Sequence, residues 1–280
     1  MINNAVSIIC PYRNAALFLP GLIENVQKQT YAHWELLLVD DESTDNGSLI
    51  AAKAAMSDPR IRALSAGSRP SGFSPGPWWP RNVGLRNAQF QLIAFLDVDD
   101  LWHPLKLQRQ LSIHLNADAS LSVTGYGRFD HLTRKIIGWR NPPLAFGYRR
   151  LRVSNVIPML SVLVDRSLLV EQFAPCPHED YLFWLSILRI NPGSRCIGIP
   201  ELLSFYSVHD KNLTRQRWKM PLWAFQVYRA HGLSGFESLM SLFPWAISQL
   251  YLYSLSKGHV FESSVDQLIA RPKPLSISSR

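Results

Sequence analysis

Glycine is absent before Gly21, although residues 5–10 are predicted to form a buried strand. Sugar-1-phosphate nucleotidyltransferases and dinucleotide dehydrogenases hold phosphates with a glycine-rich loop after such a strand, so this absence argues against both classes. Cysteine is also scarce: Cys10, Cys176 and Cys196 are the three examples, and no Cys-x-x-Cys pair occurs. This odd set predicts neither a disulfide framework nor a zinc knuckle, and it fits a reducing cytosol.

Signals for export and for membrane insertion are missing as well. The N-terminus lacks the basic segment and the apolar run of a signal peptide, which predicts a cytoplasmic protein. Residues 238–256 are uncharged, but they contain Pro244, Gln249 and several serines, so we do not predict a transmembrane helix. The sequence also lacks the nucleophile-elbow motif that presents a catalytic serine or cysteine, so no enzyme nucleophile is indicated.

The composition indicates a folded protein with anionic ligands. Of the 280 residues, 47% are hydrophobic and 18% are charged, which is enough for a substantial core and excludes global disorder. The formal net charge is +8, and the isoelectric point is about 9.6. This balance favours nucleotides, nucleic acid or an acidic membrane face as partners.

One stretch combines an apolar run with a cluster of carboxylates. Residues 92–96 are consecutively apolar and are followed by Asp97, Asp99 and Asp100. The run predicts a strand buried on both faces, and in open α/β sheets ligands bind where the strands end. Carboxylates this close repel one another unless a cation neutralises them, and oxygen ligands suit Mg²⁺ or Mn²⁺. A solvated acidic turn is the alternative interpretation at this point.

The residues before this stretch predict a repeated strand–helix unit. Strands are predicted at residues 5–10, 35–39 and 60–64, and helices near residues 19–26 and 46–56. This alternation is typical of a parallel sheet covered by helices. Because Asp40 and Asp41 end the second strand, acidic groups are expected to recur on one rim of the sheet.

A long loop is predicted between the third strand and the acidic stretch. Residues 65–80 are rich in glycine and proline and lead directly to Arg81. Loops of this length inside a compact domain are usually functional or mobile. Trp78 and Trp79 either stack on a base or a sugar, or pin the loop to the core, and pinning is the more frequent role.

The second half of the chain contains further strands and an acidic pair. A helix is predicted at residues 104–115, and strands at residues 121–129, 161–164, 195–199 and 203–208. Glu179 and Asp180 precede another helix, where negative charge is favourable on structural grounds alone. From Trp218 onward the chain becomes helical and rich in aromatic residues, so we place a boundary near residue 215.

A basic run lies between the two halves of this pattern. Residues 131–164 contain six basic residues and no acidic one. A solvated face is the usual reason for such a run, and a surface that meets an anionic acceptor or a lipid phosphate is the alternative. The basic residues are Arg134, Lys135, Arg140, Arg149, Arg150 and Arg152.

Six short motifs, each loose on its own, occur in a specific order. They cover residues 6–14, residues 29–31, Glu35 with residues 39–45, residues 81–85, residues 95–102 and residues 179–180. Together they resemble family 2 glycosyltransferases over residues 5–212. The resemblance implies an α/β protein of the GT-A fold, with a mostly parallel nucleotide-binding sheet covered by helices and, in this chain, a C-terminal helical extension.

The resemblance also implies roles for individual residues. The implied donor-binding residues are Pro11, Tyr12, Arg13, Asp41, Arg81 and Asp97, with Asp41 facing the base. The implied ligands of a divalent cation, Mn²⁺ or Mg²⁺, are Asp99, Asp97 and His209. Asp180 is implied to be the general base. Two departures from the family pattern are the long loop before Arg81, and Ser207 at a place where arginine is frequent.

The implied reaction transfers a sugar, with inversion, from a nucleotide-diphosphate donor to a hydroxyl of a glycan or lipid-linked acceptor. The expected donor is a UDP-sugar, and the expected process is surface polysaccharide biosynthesis. Nucleic acid is not an expected partner. Residues 1–215 are expected to be the catalytic domain, with a nucleotide-sugar-binding half at 1–116 and an acceptor-binding half at 117–215. Residues 216–280 are expected to form the helical extension.

Two other functions and two placements of the C-terminal segment stay open. A catalytically inactive nucleotide-sugar-binding or scaffold protein is the main alternative, and a sugar nucleotidyltransferase is a weaker one. Residues 220–256 either pack across the catalytic domain or lie against an anionic membrane surface at the inner face of the plasma membrane. Aromatic side chains favour the headgroup boundary, and helices that are apolar all round are usually buried.

Overall fold

The computed structural model of the chain describes residues 4–73, 76–209, 220–256 and 263–276. These residues form one mixed β-sheet with helices on both sides. The strands are β1 (Val6–Tyr12), β2 (Trp34–Asp40), β3 (Ile61–Ser65), β4 (Leu92–Phe95), β5 (Leu101–Trp102), β6 (Leu121–Asp130), β7 (Ile136–Arg140), β8 (Ala145–Phe146), β9 (Val162–Asp165) and β10 (Cys196–Val208). The helices are α1 (Leu19–Gln27), α2 (Gly47–Ser57), α3 (Trp78–Asn87), α4 (Lys106–Asn116), α5 (Tyr148–Leu151), α6 (Glu179–Ile190), α7 (Met220–Ala230), α8 (Gly235–Ser256) and α9 (Val265–Ile269).

The sheet has a parallel half and a mixed half. Along it the strands follow the order β3-β2-β1-β4-β9-β6-β10-β5, with β7 beside β6 and β8 beside β10. The strands from β3 to β4 run parallel, which confirms the predicted strand–helix repeat. β9 is antiparallel to both β4 and β6, whereas β6 and β10 are parallel. The carboxyl ends of β1, β2 and β4 therefore meet at one edge.

Alternate residues of the central strands enter two hydrophobic clusters on opposite faces of the sheet. Ile9 and Phe95 pack in the cluster that includes α6 and α7, whereas Ile8 and Ala94 pack in the cluster that includes α1 and α4. All four side chains are fully buried. Burial on both faces explains why residues 92–96 contain no polar residue.

The residues predicted as two strands, 195–199 and 203–208, form the single strand β10. Its pairing with β6 shifts register on either side of Leu202. Pro200 lies in the first irregular stretch and has no N–H to donate to a ladder, which accounts for the irregularity. The prediction of two separate strands was wrong because a bulge interrupts the hydrogen bonds without ending the strand.

The predicted loop at residues 65–80 is shorter than expected, because α3 begins at Trp78. Pro77 immediately precedes the helix, and Pro80 lies in its first turn, where proline is tolerated since the N–H there has no partner within the helix. The prolines that suggested a loop are therefore compatible with the start of a helix. This helix carries Arg81 towards the end of β4.

The predicted helical segment near the C-terminus forms α7 and α8. Val227 and Tyr228 of α7 are buried in the cluster that contains α6, so α7 packs against the sheet domain. The predicted boundary near residue 215 lies outside the described residues. Among the helices that are described, none combines the length and the apolar character needed to cross a membrane.

Replacing Gly84 by alanine should destabilise the protein, because α3 packs directly on β1 at this position. A methyl group built on Gly84 would overlap the side chain of the fully buried Ile9. Overpacking of this kind typically costs about 1–3 kcal/mol. Urea unfolding measures the change in the free energy of unfolding.

Gly21→Ala is the matched control for this substitution. A methyl group built on Gly21, which is in α1, would have nothing within 4 Å apart from its chain neighbours and the backbone of its own helix. Alanine is favoured over glycine in a helix by roughly 0.5–1 kcal/mol, so this variant should be slightly more stable than the wild type. Equal stability of Gly84→Ala and the wild type would contradict the close packing of α3 on β1.

Candidate active site

The carboxylates predicted to gather at one edge of the sheet lie where β2 and β4 end. Asp41 follows β2, and Asp97, Asp99 and Asp100, which we call the acidic turn, follow β4. β1 runs between these strands and ends at Tyr12, whose carbonyl accepts a hydrogen bond from the Asp41 N–H at 2.8 Å. The end of β1 therefore lies between Asp41 and the acidic turn.

Two arginines surround the carboxylate of Asp41. Arg69 donates from Nη2 to both carboxylate oxygens, at 2.8 and 2.9 Å. Arg13 is partly exposed and places Nη1 at 3.9 Å from Oδ2 of Asp41. Pro11 and Tyr12, which directly precede Arg13, are buried beneath this group. An anionic ligand at the end of β1 would therefore meet a pair of guanidinium groups.

Arg69 lies in the glycine- and proline-rich loop and was missed in the sequence analysis, because the course of this loop depends on tertiary contacts. Trp79 holds the loop by donating from Nε1 to the carbonyl of Ala66 at 2.9 Å. Trp78 is buried in the same hydrophobic cluster as Val39. Of the two roles considered for these tryptophans, the structure supports pinning of the loop to the core.

One buried arginine connects the acidic turn with the beginning of α6. Arg81 donates from Nη2 to Oδ1 of Asp97 at 2.8 Å and from Nη1 to Oε1 of Glu179 at 2.5 Å. Its side chain is only 4% exposed, so water does not compete freely for either contact. Next to it, the side-chain amide of Asn82 exchanges two hydrogen bonds with the backbone of Phe173, at 2.8 and 2.9 Å. These contacts bring together parts of the chain that are far apart in sequence.

Within the acidic turn, Asp99 and Asp100 have different surroundings. Oδ2 of Asp99 lies 2.7 Å from Nε2 of His209, the residue that directly follows β10. Asp100 is buried, and its Oδ1 accepts a hydrogen bond from the Ser207 N–H at 2.9 Å. Burial, followed by repulsion from Asp97, raises the pKa of Asp99, whereas His209 lowers it. Burial and repulsion from Asp99 also raise the pKa of Asp100.

The acidic turn fits a divalent cation on chemical grounds. Oδ2 of Asp100 is buried and has no hydrogen-bond partner among the described residues, and crowded carboxylates are stabilised by a positive ion. Carboxylate oxygens with one imidazole nitrogen suit Mn²⁺. Within the described ranges, no three His, Cys, Asp or Glu side chains are grouped so that they could hold a metal ion. An ion at the acidic turn would therefore need ligands such as phosphate oxygens to complete its shell.

Asp180 is partly buried in the first turn of α6. Its Oδ2 accepts a hydrogen bond from Nδ2 of Asn155 at 3.3 Å, and Oδ1 of Asn155 accepts one from the Ile157 N–H at 3.1 Å. The amide of Asn155 is thereby oriented with its donor towards the carboxylate. Burial raises the pKa of the neighbouring Glu179, although Arg81 opposes the shift. The sequence analysis missed Asn155, which lies in an irregular segment without a pattern of its own.

Residues 7–161 match the sequence model described as glycosyl transferase family 2. The chain belongs to this family. The matched region of this glycosyltransferase includes Asp41, Arg81 and the acidic turn, whereas Asp180 and His209 lie beyond it. The matched region therefore ends before β9 and α6.

Two curated relatives match most of this glycosyltransferase. The Escherichia coli UDP-Glc:alpha-D-GlcNAc-diphosphoundecaprenol beta-1,3-glucosyltransferase WfgD is 36% identical over 216 residues, which are 76% of this chain and 81% of WfgD. The putative teichuronic acid biosynthesis glycosyltransferase TuaG of Bacillus subtilis is 29% identical, over 80% of this chain and 87% of TuaG. Both relatives therefore align with this chain over most of their length.

Two solved structures have a similar fold. S. aureus TarS 1-349 in complex with UDP-GlcNAc superposes with a TM-score of 0.63 and 18% identity, over 94% of this chain and 77% of that one. The mannosyltransferase PcManGT from Pyrobaculum calidifontis, in complex with GDP-Man and Mn²⁺, has a TM-score of 0.59 and 17% identity. The match covers 91% of this chain and 76% of PcManGT. The likeness confirms the predicted GT-A fold with its central sheet.

Proposed function

We propose that this glycosyltransferase moves a sugar from a UDP-sugar to a hydroxyl of a lipid-linked acceptor, with inversion, in surface polysaccharide biosynthesis at the cytoplasmic face of the plasma membrane. The contact of Arg81 with both Asp97 and Glu179 carries this proposal, because it joins the acidic turn to the helix of Asp180 at one edge of the sheet. The name of WfgD supports both the UDP-sugar donor and the diphospholipid acceptor. The UDP-GlcNAc complex of TarS supports the donor as well.

On the donor side, the base and ribose would lie at the ends of β1 and β2. Pro11, Tyr12 and Arg13 line this end of the sheet, and the carboxylate of Asp41 is suited to accept hydrogen bonds from the base. Since Arg69 holds Asp41 in this structure, donor binding at Asp41 requires Arg69 to share or leave that carboxylate.

At the diphosphate, Asp97 and Arg81 would contact the donor. A Mn²⁺ or Mg²⁺ ion held by Asp99, with Asp97 and His209 beside it, would neutralise negative charge on the diphosphate that leaves. Only Asp99 and His209 contact each other directly, at 2.7 Å. Asp97 instead faces Arg81, so its carboxylate is positioned by the same cation that contacts Glu179.

On the acceptor side, Asp180 is the group that would take the proton of the attacking hydroxyl. The acceptor oxygen bonds to the anomeric carbon while the bond to the diphosphate breaks, so one displacement inverts that centre. General-base catalysis typically contributes about 10²–10⁴ in rate. Asn155 orients the Asp180 carboxylate for this role.

Binding of UDP with Mn²⁺ should raise the thermal midpoint of the protein. A ligand at 100 times its Kd stabilises the folded state by about 2.7 kcal/mol, which corresponds to a shift of roughly 5 °C or more. A thermal-shift screen of UDP, GDP and their sugars, with and without Mn²⁺, measures the shift, and EDTA is the control. A thermal shift with GDP but not with UDP would contradict the proposal of a UDP-sugar donor.

Transfer itself is tested with UDP-glucose and a GlcNAc-diphospholipid, followed by NMR of the product anomer. A product with the configuration of the donor retained would contradict inversion. Nucleotide binding without turnover of any donor would favour the alternative, a catalytically inactive nucleotide-sugar-binding protein.

A further inference from the structure

The outer face of α8 carries a stripe of exposed apolar side chains. They recur at positions i, i+3, i+4, i+7 and i+11, the spacing of a single helix face. Each is more than half exposed, and Phe236 and Phe243 are 74% and 70% exposed. We call this set the α8 stripe, and its members are Phe236, Leu239, Met240, Phe243 and Ile247.

The opposite face of α8 packs against the protein, so the orientation of the helix is defined. Ser238 is fully buried, and Trp245 packs on the cluster that contains α6. The hydroxyl of Ser248 lies 2.7 Å from the carbonyl of Trp245 and 3.2 Å from the carbonyl of Val153, so it contacts the segment after α5. The α8 stripe is therefore the free side of a helix whose other side is fixed next to the segment after α5.

A pocket of about 400 Å³ opens between α5 and the inner edge of α8. Its walls combine guanidinium groups with apolar and hydroxyl groups, which is a suitable environment for a lipid with an anionic head. The lining residues are Tyr148, Arg149, Arg152, Val153, Ser241 and Pro244. Ser241 and Pro244 are on α8, so the pocket borders the helix that carries the stripe.

The positive charge of this pocket is available to a ligand. Arg149, Arg150 and Arg152 are exposed, and none of them pairs with a carboxylate among the described residues. Glu237 is the acidic group nearby: its pKa is lowered chiefly by hydrogen bonds from Ser234 and in part by Arg152. The three arginines therefore retain a net positive charge at this end of the molecule.

One residue that lines the pocket is close along the chain to Asn155, the residue that contacts the group we assign as the base. Asn155 contacts Asp180, and Arg152 is three residues before Asn155. A segment of three residues spans at most about 11 Å, so the backbone of Arg152 lies within that distance of Asn155. The hydroxyl of Tyr228 also donates to the carbonyl of Arg152 at 2.7 Å, which fixes this part of the chain.

We propose that the pocket between α5 and α8 binds the diphosphate of a polyprenyl diphosphate-linked acceptor through Arg149 and Arg152, while the α8 stripe enters the lipid surface. This proposal rests on the proposed function and deepens it, because it names the part of the acceptor that the protein holds. Arginine binds phosphate oxygens with geometric specificity, and phenylalanine, leucine and methionine enter the interface of a bilayer. In this proposal the sugar of the acceptor extends from the pocket towards Asn155 and Asp180.

Vesicle sedimentation of the full chain tests the proposal. Phosphatidylcholine vesicles that contain undecaprenyl diphosphate should bind the protein, whereas plain phosphatidylcholine vesicles, and phosphatidylglycerol vesicles of matched charge, should bind at least about tenfold more weakly. The double variant Arg149→Gln/Arg152→Gln should lose at least about tenfold in binding, since it removes the charge-assisted hydrogen bonds to the diphosphate. Phe243→Ser should weaken binding as well.

Matched variants distinguish binding at a specific site from non-specific electrostatic or hydrophobic binding to the vesicles. Arg195→Gln removes another exposed arginine, and Met56→Ser removes another exposed apolar side chain. Both should bind the vesicles like the wild type. Equal losses in these controls, or equal binding to all three kinds of vesicle, would overturn the proposal.

Calorimetry with UDP and Mn²⁺ on the same samples distinguishes this proposal from the proposed function. The arginine and phenylalanine variants should bind UDP within about twofold of the wild type, because neither site contacts the acidic turn. If the wild type binds UDP but none of the vesicles, the proposed acceptor pocket is overturned and the proposed function is not. If it binds neither UDP nor vesicles, both proposals are overturned. A dimer that forms through Phe243, without vesicle binding, would assign the α8 stripe to a second copy of the chain instead.

Discussion

Replacing Asp180 by asparagine should lower kcat by at least about 100-fold while the Kd of the donor stays nearly unchanged. The carboxylate at this position is partly buried and is oriented by Asn155, whereas the donor contacts that we propose lie at the ends of β1, β2 and β4. Asparagine has nearly the same shape as aspartate and can still contact Asn155 after a flip of its amide. The substitution therefore removes a proton acceptor with little change in packing.

Steady-state kinetics and calorimetry with UDP measure these two quantities. Asp118→Asn is the matched control: Asp118 is exposed and has a positive φ of 48°, a conformation that asparagine tolerates well. This control should retain the kcat of the wild type. A collapse of donor affinity in Asp180→Asn with an unchanged kcat would make Asp180 a donor-binding residue instead.

Replacing Asp99 by alanine should abolish transfer and sharply weaken the Mn²⁺-dependent binding of UDP. Asp99 is the carboxylate of the acidic turn that contacts His209, and burial together with repulsion from Asp97 makes its charge costly without a positive partner. Charge stabilisation by a metal ion is worth several kcal/mol in the transition state, so the loss in kcat should be at least about 10³-fold.

Calorimetry gives a readout of this substitution that does not depend on turnover. The wild type should bind UDP more tightly with Mn²⁺ than in EDTA, and Asp99→Ala should bind equally weakly in both. Glu171→Ala is the control, because Glu171 is an exposed acid outside the site. Full activity of Asp99→Ala, or of the wild type in excess EDTA, would exclude a metal-dependent role for the acidic turn.

The ends of the parallel strands were predictable from the sequence, and much of the site was not. The apolar run before Asp97 predicts a strand buried on both faces, and topology then brings Asp41 and the acidic turn to one edge. Arg69 and Asn155 lie in irregular segments whose positions depend on contacts distant in sequence. Their neighbours carry no periodic pattern, so local reasoning has no signal for them.

Roles that follow only from the family resemblance stay predictions. The structure places Asp180 beside Asn155, and His209 beside Asp99. Glu179 was part of a motif in the sequence analysis, but no contact was predicted for it. In the structure its carboxylate contacts the guanidinium of Arg81. The salt bridge joins two motifs that are 98 residues apart, which no local pattern can reveal.

That salt bridge limits how the protein can be recombined with its relatives. The predicted donor and acceptor halves meet through Arg81 with Glu179 and through Asn82 with Phe173. A chimera that takes residues 117–215 from another glycosyltransferase must therefore supply a carboxylate opposite Arg81, or this buried guanidinium keeps Asp97 as its single carboxylate partner. If the proposed pocket holds the acceptor, a graft of the segment around α5 and α8 would alter acceptor specificity while the shared guanidinium keeps both of its partners.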